Sequence, residues 1–170
     1  LRRAKRLREN VRRKKDGAEE VFLDPNTLSE DGTTRANWAG RSKDNKYFTF
    51  QISKAGSDAC EFWIIDADTK SFLADKLFNM RHSGAAWYRD GFFYSRYDSE
   101  QDYQQQDKDQ KIYYHKLGEP KENDRLIYED PEHPLRYLNA DVSDDQKTLF
   151  IYVSQGTSGN CILYRPIGEE

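Results

Sequence analysis

A chain of 170 residues can bury a sizeable core, but 34% of these residues are charged and 14% aromatic, with 11 Tyr, 9 Phe and 1 Met. The mean hydropathy of −1.04, with no apolar run near the roughly 18–20 residues a spanning helix needs, argues against any membrane span and against a membrane partner. The net charge of −3 hides a division: residues 1–15 carry nine Lys and Arg against Glu9, or +8, while the other 18 basic and 29 acidic residues leave −11.

"LRRAKRLRENVRRKK" (1–15) sets Leu1, Ala4, Leu7 and Val11 at helical spacing. It reads as a basic arm, either a helix with a thin apolar stripe or a solvated, disordered tail. Over 16–170 every periodic segment is strand-like. "EEVFLD" (19–24) predicts a short strand, and "PNTLSEDGTT" after it gathers Pro, Asn, Ser, Asp and Gly into turn chemistry. A first four-strand unit occupies about 36–80: Trp38-Ala39-Gly40, the Asp44-Asn45 turn, "KYFTFQIS", the loop "KAGSDA", "EFWIIDAD", a Thr69-Lys70 turn and "SFLADKL". A second, about 81–133, runs through "SGAAW", Asp90-Gly91, "FFYSRY", the polar "DSEQDYQQQDKDQ", "KIYYHKL", a Gly118-Glu119-Pro120 turn and "RLIYED". The third, about 134–170, holds three strands: "LNADV", then Asp144-Asp145, "TLFIYVS", the loop "QGTSGN" and "CILYRPI".

These units repeat a local theme. "SKDNKYFTF" at Ser42, "YRDGFFYSRY" at Tyr88 and "SDDQKTLFIYV" at Ser143 begin 46 and 55 residues apart, and in each a turn pair follows Lys43, Arg89 or Asp144. Four strands per unit at that period is the pattern of propeller blades. In "KYFTFQIS" the side chains of Tyr47, Thr49 and Gln51 alternate with those of Phe48, Phe50 and Ile52. "EEVFLD" then reads as the outermost strand of an earlier blade. The expected fold is all-β: an incomplete β-propeller of four-stranded antiparallel blades, two whole and two partial, behind a short basic N-terminal arm. A meander or β-sandwich of short strands is the competing architecture. Phe48, Phe50, Trp63, Trp87, Phe92, Phe93 and Tyr94 are expected in the core between blades.

The segment "KKDGAEEVFLDPNTLSEDGT" (14–33) resembles the propeller region of the prolyl oligopeptidases, serine peptidases that cut short peptides after proline. "ISKAGSD" (52–58), "SGAAW" (83–87), "FFYSRYD" (92–98), "KIYYHKLG" (111–118) and "ADVSDD" (140–145) follow in the family's order. The resemblance covers about residues 13–168 and leaves 1–12 outside. It implies a ring of seven blades covering an α/β-hydrolase domain that holds a Ser-Asp-His triad. That domain, and short proline-containing peptides, are the implied partners.

No catalytic residue is expected within the chain itself. It has no G-x-S-x-G elbow, since "GTSGN" sets Ser158 directly before Gly159, and His82, His115 and His133 lack a nucleophile and an orienter. Cys60 and Cys161 are 101 residues apart and no H-x-x-x-H occurs, so neither a metal nor a cofactor is expected. Two cysteines are too few for a disulfide framework, and no apolar h-region follows the basic start. Both fit a cytoplasmic setting, although an export signal upstream of Leu1 would be invisible here.

In a blade, the loop entering the innermost strand and the loop between the second and third strands lie on one face of the disc. Here that face is expected to carry Asn37, His82 and Tyr137 from entry loops, with Asp58, Thr157 and the stretch 98–110. The resemblance implies substrate-lining positions at His82, Tyr137 and Thr157, where the family more usually has Phe, Met and Cys. This chain is more polar at all three. The expected role is a gating cover that lines one side of a peptide site. The alternative is a stand-alone propeller-like binding module whose basic arm recruits acidic partners or nucleic acid. Nucleic acid is the less expected of those ligands, and "DSEQDYQQQDKDQ" reads as a solvated hairpin tip.

Overall fold

The computed structural model describes residues 9–11, 17–18, 20–54, 56–57, 59–98, 108–157 and 159–168. Three antiparallel sheets follow one another along the chain. The first joins β3 (Arg35–Arg41), β4 (Tyr47–Ser53), β5 (Cys60–Asp66) and β6 (Phe72–Met80). The second joins β7 (Ala86–Tyr88), β8 (Gly91–Arg96), β9 (Lys111–Lys116) and β10 (Arg125–Tyr128). The third has β11 (Tyr137–Val142), β12 (Thr148–Ser154) and β13 (Asn160–Pro166). In each sheet every strand pairs with its neighbour in sequence, which is the meander of a propeller blade. The all-β, partial-propeller reading therefore holds.

The basic N-terminal stretch departs from expectation. Within it, Glu9–Val11 is not helical but a strand, β1, paired antiparallel with β2 (Glu20–Leu23). Residues 1–8 and 12–16 lie outside the described residues. At Glu9–Val11 the open edge of β2 offers ladder partners that a solvated helix lacks.

The first two sheets bury both faces because each packs on two neighbours, while the third packs on the second sheet and leaves its other face exposed. Phe22 and Leu23 of β2 close on Phe50, Ile52 and Ile65 of the first sheet, with Phe48 and Trp63 at the margin. Phe62, Ile64 and Leu77 from the other side of that sheet meet Trp87, Phe92, Tyr94 and Tyr113 of the second. Ala86, Phe93 and Ile112 then meet Leu138, Leu149, Ile151 and Val153 of the third. The expected aromatics all lie in these three clusters or against them. Thr49, which shares a face of β4 with Tyr47 and Gln51, is fully buried, and its hydroxyl accepts the indole N–H of Trp87 at 3.0 Å. A buried Thr at that point is satisfied only across the blade interface. Losing the indole donor would strand the hydroxyl, a cost of about 1–3 kcal/mol.

The recurring turns explain themselves. In the first, Ser42 Oγ donates to Asp44 Oδ1 at 2.6 Å and accepts from Tyr47 N at 2.9 Å, while Lys46 N donates to Asp44 Oδ1 at 3.0 Å and Asn45 takes φ 60°. In the third, Ser143, Asp145, Lys147, Thr148 and Gln146 (φ 60°) reproduce the same bonds. The second turn has no serine there. It turns on Arg89 at φ 52°, and Gly91 follows because a Cβ at that position would lie 2.0 Å from the carbonyl oxygen of His115.

The inner strands β3, β7 and β11 lie beside one another. Ala85 N donates to Ala39 O at 3.1 Å, and this close approach needs Gly40, whose Cβ would lie 2.0 Å from Ala85 O. β7 is shorter than the "SGAAW" segment suggests. Ser83 O, Gly84 N and Ala85 N pair with other sheets, and only the Ser83 hydroxyl meets β8, as described next.

Candidate functional site

Register fixes which loops share an end of the sheets. Arg35 opposes Ser53, which opposes Cys60; Tyr137 opposes Ser154, which opposes Asn160. The starts of the inner strands and the hairpins between second and third strands therefore lie at one end. At that end the ring of His82 meets the ring of Tyr137 edge to face, with centroids 5.3 Å apart and planes at 74°. His82 is exposed and held at φ 50°, a left-handed backbone that only a well-braced loop imposes on a residue with a Cβ.

The bracing is visible. Gln110, 3% exposed, donates from Nε2 to the carbonyls of Arg81 (3.2 Å) and His82 (3.4 Å) and accepts the Leu138 N–H on Oε1 at 2.7 Å. Ser95 N donates to Ser83 Oγ at 2.8 Å, and Ser95 Oγ donates to Leu138 O. Gln51 of the first sheet donates from Nε2 to Ser83 O, and Gly84 N donates to Asn139 Oδ1 of the third at 3.4 Å. One loop, 81–84, is thus tied to all three sheets.

The other anticipated residues fare differently. Asn37 is not in an entry loop but inside β3, exposed and opposite Gln51; the strand begins earlier because Arg35 and Ala36 already pair with Ser53 and Ile52. Thr157 is exposed in the β12–β13 hairpin, at the same end as His82 and Tyr137 but without a hydrogen bond or ring contact to either among the described residues. Asp58 and residues 99–107 lie outside the described residues. A cavity of about 230 Å³ lies beside that hairpin, lined by Arg136, Ser154, Gln155 and Asn160 among others. A cavity of about 750 Å³ is at the opposite end, between Lys43, Tyr88, Arg89, Lys147 and Ile167. It is remote from the His82–Tyr137 pair.

A second polar cluster escaped the sequence reading. His115 Nδ1 is 2.8 Å from Asp124 Oδ1, Tyr94 donates its hydroxyl to Asp124 Oδ2, and Arg96 Nη1 is 3.7 Å from the same oxygen. Burial and the Asp124 carboxylate push the Tyr94 phenol far above its ordinary value. Arg96 also lies over the Tyr113 ring at 3.7 Å, and Tyr113 donates to Asp98 at 2.6 Å. Lys111 bridges Asp98 (2.9 Å) and Glu129 (3.1 Å), whose hydrogen bonds raise its pKa. Tyr94, His115 and Asp124 are enclosed by the blade, whereas Asp98, Lys111 and Glu129 reach its surface. His133 is a satisfied surface residue, 3.0 Å from Asp130. Among the described residues no group of three His, Cys, Asp or Glu is arranged to hold a metal.

Residues 3–170 match the family model of the prolyl oligopeptidase N-terminal β-propeller domain. The chain belongs to that family. The match takes in most of the basic stretch that the sequence reading set outside the resemblance. A prolyl endopeptidase of Elizabethkingia meningoseptica is 40% identical over 149 residues, covering 85% of this chain and 21% of the relative. Prolyl oligopeptidase A of Galerina marginata is 33% identical over 166 residues, covering 85% of this chain and 22% of the relative. Among solved structures, prolyl oligopeptidase B of Galerina marginata bound to a 35mer hydrolysis and macrocyclization substrate superposes with a TM-score of 0.80 at 28% identity, over 91% of this chain and 23% of that one. The chain thus spans about a fifth of the length of the prolyl oligopeptidases it matches.

Proposed function

We propose that this chain is the propeller segment of a peptidase cleaving after proline, in which it gates entry of peptides and lines one side of their site. The supporting observation is the edge-to-face pair of His82 and Tyr137 at the loop end, braced from three sheets. A half-buried aromatic ring beside an exposed imidazole suits apolar and prolyl side chains of a short peptide, with one polar handle on the imidazole. Thr157 is the third lining position in this reading, and Asn37, inside β3, is peripheral to it. The acyl transfer belongs to an α/β-hydrolase domain with its own Ser, His and Asp. A cytoplasmic setting goes with the reading, and the exposed thiol of Cys161 and unpaired Cys60 favour a reducing compartment.

Two measurements test it. The 170-residue chain should cleave no proline-containing peptide and take up no active-site serine probe; labelling of Ser158 would overturn the reading. In the full-length enzyme, His82→Phe should alter KM while kcat stays nearly constant, because His82 is a binding contact and not a proton donor. A large fall in kcat at unchanged KM would give His82 a chemical role.

A further inference from the structure

We infer that Gln110 is the positioning residue of the site, holding His82 and Tyr137 at the separation that sets how tightly the peptide binds. This rests on the proposed reading of that site and adds the element that fixes its geometry. Gln110 ends the long connection between β8 and β9, where a polar run predicts nothing but solvent exposure, yet its side chain is 3% exposed. A buried primary amide has two donors and one acceptor oxygen to satisfy, and Gln110 directs them in two directions. Its Nε2 holds the backbone on either side of the His82 ring, through Arg81 O and His82 O. Its Oε1 holds Leu138 N, the peptide that follows Tyr137.

The two rings come from different sheets and touch only at their edges. Nothing covalent fixes their spacing over the 54 residues between them. The Gln110 amide spans the two backbones at the rings themselves, while Ser95 joins them beside it, at Ser83 Oγ and Leu138 O. The other ties to the 81–84 loop act elsewhere: Gln51 and Ser95 hold Ser83, and Asn139 holds Gly84. Gln110 alone among these reaches the carbonyl of His82 and the amide next to Tyr137 together.

Three variants separate the contributions. Gln110→Glu keeps an acceptor for Leu138 N but removes the donor to the two carbonyls. Gln110→Asn keeps the amide but is one methylene short of spanning both. Gln110→Leu removes both ends. Thr49→Val, which breaks the buried bond to Trp87, controls for loss of stability alone. In NMR spectra of the 170-residue chain, Gln110→Leu and Gln110→Asn should shift the His82 and Tyr137 ring resonances, and Gln110→Glu should shift His82 while leaving the Leu138 amide near its place. Thr49→Val should lower the melting midpoint with both rings unmoved. In the full-length peptidase, Gln110→Leu should raise KM about fivefold or more, with kcat within about twofold, and Thr49→Val should leave both.

Ring resonances that stay in place in Gln110→Leu would make Gln110 an ordinary buried amide and overturn the inference. So would a fall in kcat at constant KM, or a Thr49→Val enzyme whose KM moves as far as that of Gln110→Leu. A wild-type enzyme that cleaves no proline-containing peptide removes the function proposed above and the affinity role with it; the NMR arm then decides by itself whether Gln110 holds the ring pair.

Discussion

Asp124 places Oδ1 2.8 Å from Nδ1 of His115, with both side chains 1% exposed, and its other oxygen accepts the Tyr94 hydroxyl at 2.5 Å. One carboxylate therefore gathers groups from β8 and β9 into the blade interior, with Arg96 as its nearest cation. Removing one member of such a cluster leaves the others desolvated without a partner. Asp124→Ala should cost about 3–5 kcal/mol in urea unfolding. A loss below about 1 kcal/mol would mean that water replaces the carboxylate without penalty.

The two thiols should differ sharply in reactivity. Cys60 is buried, its Sγ is 3.2 Å from Met80 O, and burial pushes its thiol up to about 11. Cys161 is exposed on β13. Since the thiolate is the reactive form, one thiol per native chain should titrate with a disulfide reagent near neutral pH, and the second only in denaturant. Equal rates for both in the native chain would contradict the packing around Cys60.

Stability in acid should depend on the paired turns. The Ser42 hydroxyl, then the Lys46 N–H, holds Asp44 below its ordinary value, and Ser143 with the Lys147 N–H does the same for Asp145. A carboxylate whose folded pKa is depressed stabilises fully above its unfolded value of about 3.9, and that contribution is lost as pH falls through the lower folded value. Denaturant midpoints measured from about pH 5 to pH 2 should therefore fall, and Asp44→Asn with Asp145→Asn should flatten part of that fall. Asp66 and Asp130 are held down as well, so some slope should survive. A double variant with the wild-type slope would remove the turns from the account.

The outward face of the third sheet should drive association of the 170-residue chain. Tyr152 opposes Ile162 and Phe150 opposes Tyr164, and Tyr152, Ile162 and Tyr164 are 42%, 56% and 75% exposed. A contiguous apolar sheet face of that kind is an association surface. Sedimentation at micromolar concentration should show dimers or larger species, and Ile162→Lys with Tyr164→Lys should shift the chain toward monomer. A wild-type monomer with a sharp melt would show that this face is tolerated in water.

How much of this was legible beforehand depended on the distance over which each choice is made. Alternation in "KYFTFQIS" and "TLFIYVS" is local, and so are the Ser42 and Ser143 turns, so strands and blade period could be read directly. The brace around His82 could not. Gln51 and Gln110 look like surface amides because their partners are backbone carbonyls and amides 28 to 32 residues away. The signal that was present is weaker: an amide at the edge of an apolar run, beside a strand on whose far side another blade must pack. Asp124 was hidden for the same reason, sitting in a turn sequence with its partners on neighbouring strands. β1 was misread because a short strand is decided by the edge it meets, not by its own spacing.

The three inner hairpins close over a handful of residues, and such closures form in about microseconds. Apart from the Ser95–Ser83 bond, the ties at the His82 end reach across 28 to 55 residues and need two sheets already in place. The fold therefore has an order in time. Turns and hairpins come first, stacking of the sheets next, and the His82–Tyr137 pair last, because loop-closure entropy delays the long-range ties. The same sequence run backwards makes that pair the first region to open in the native state, so amides of 81–84 should exchange with solvent sooner than those of β8.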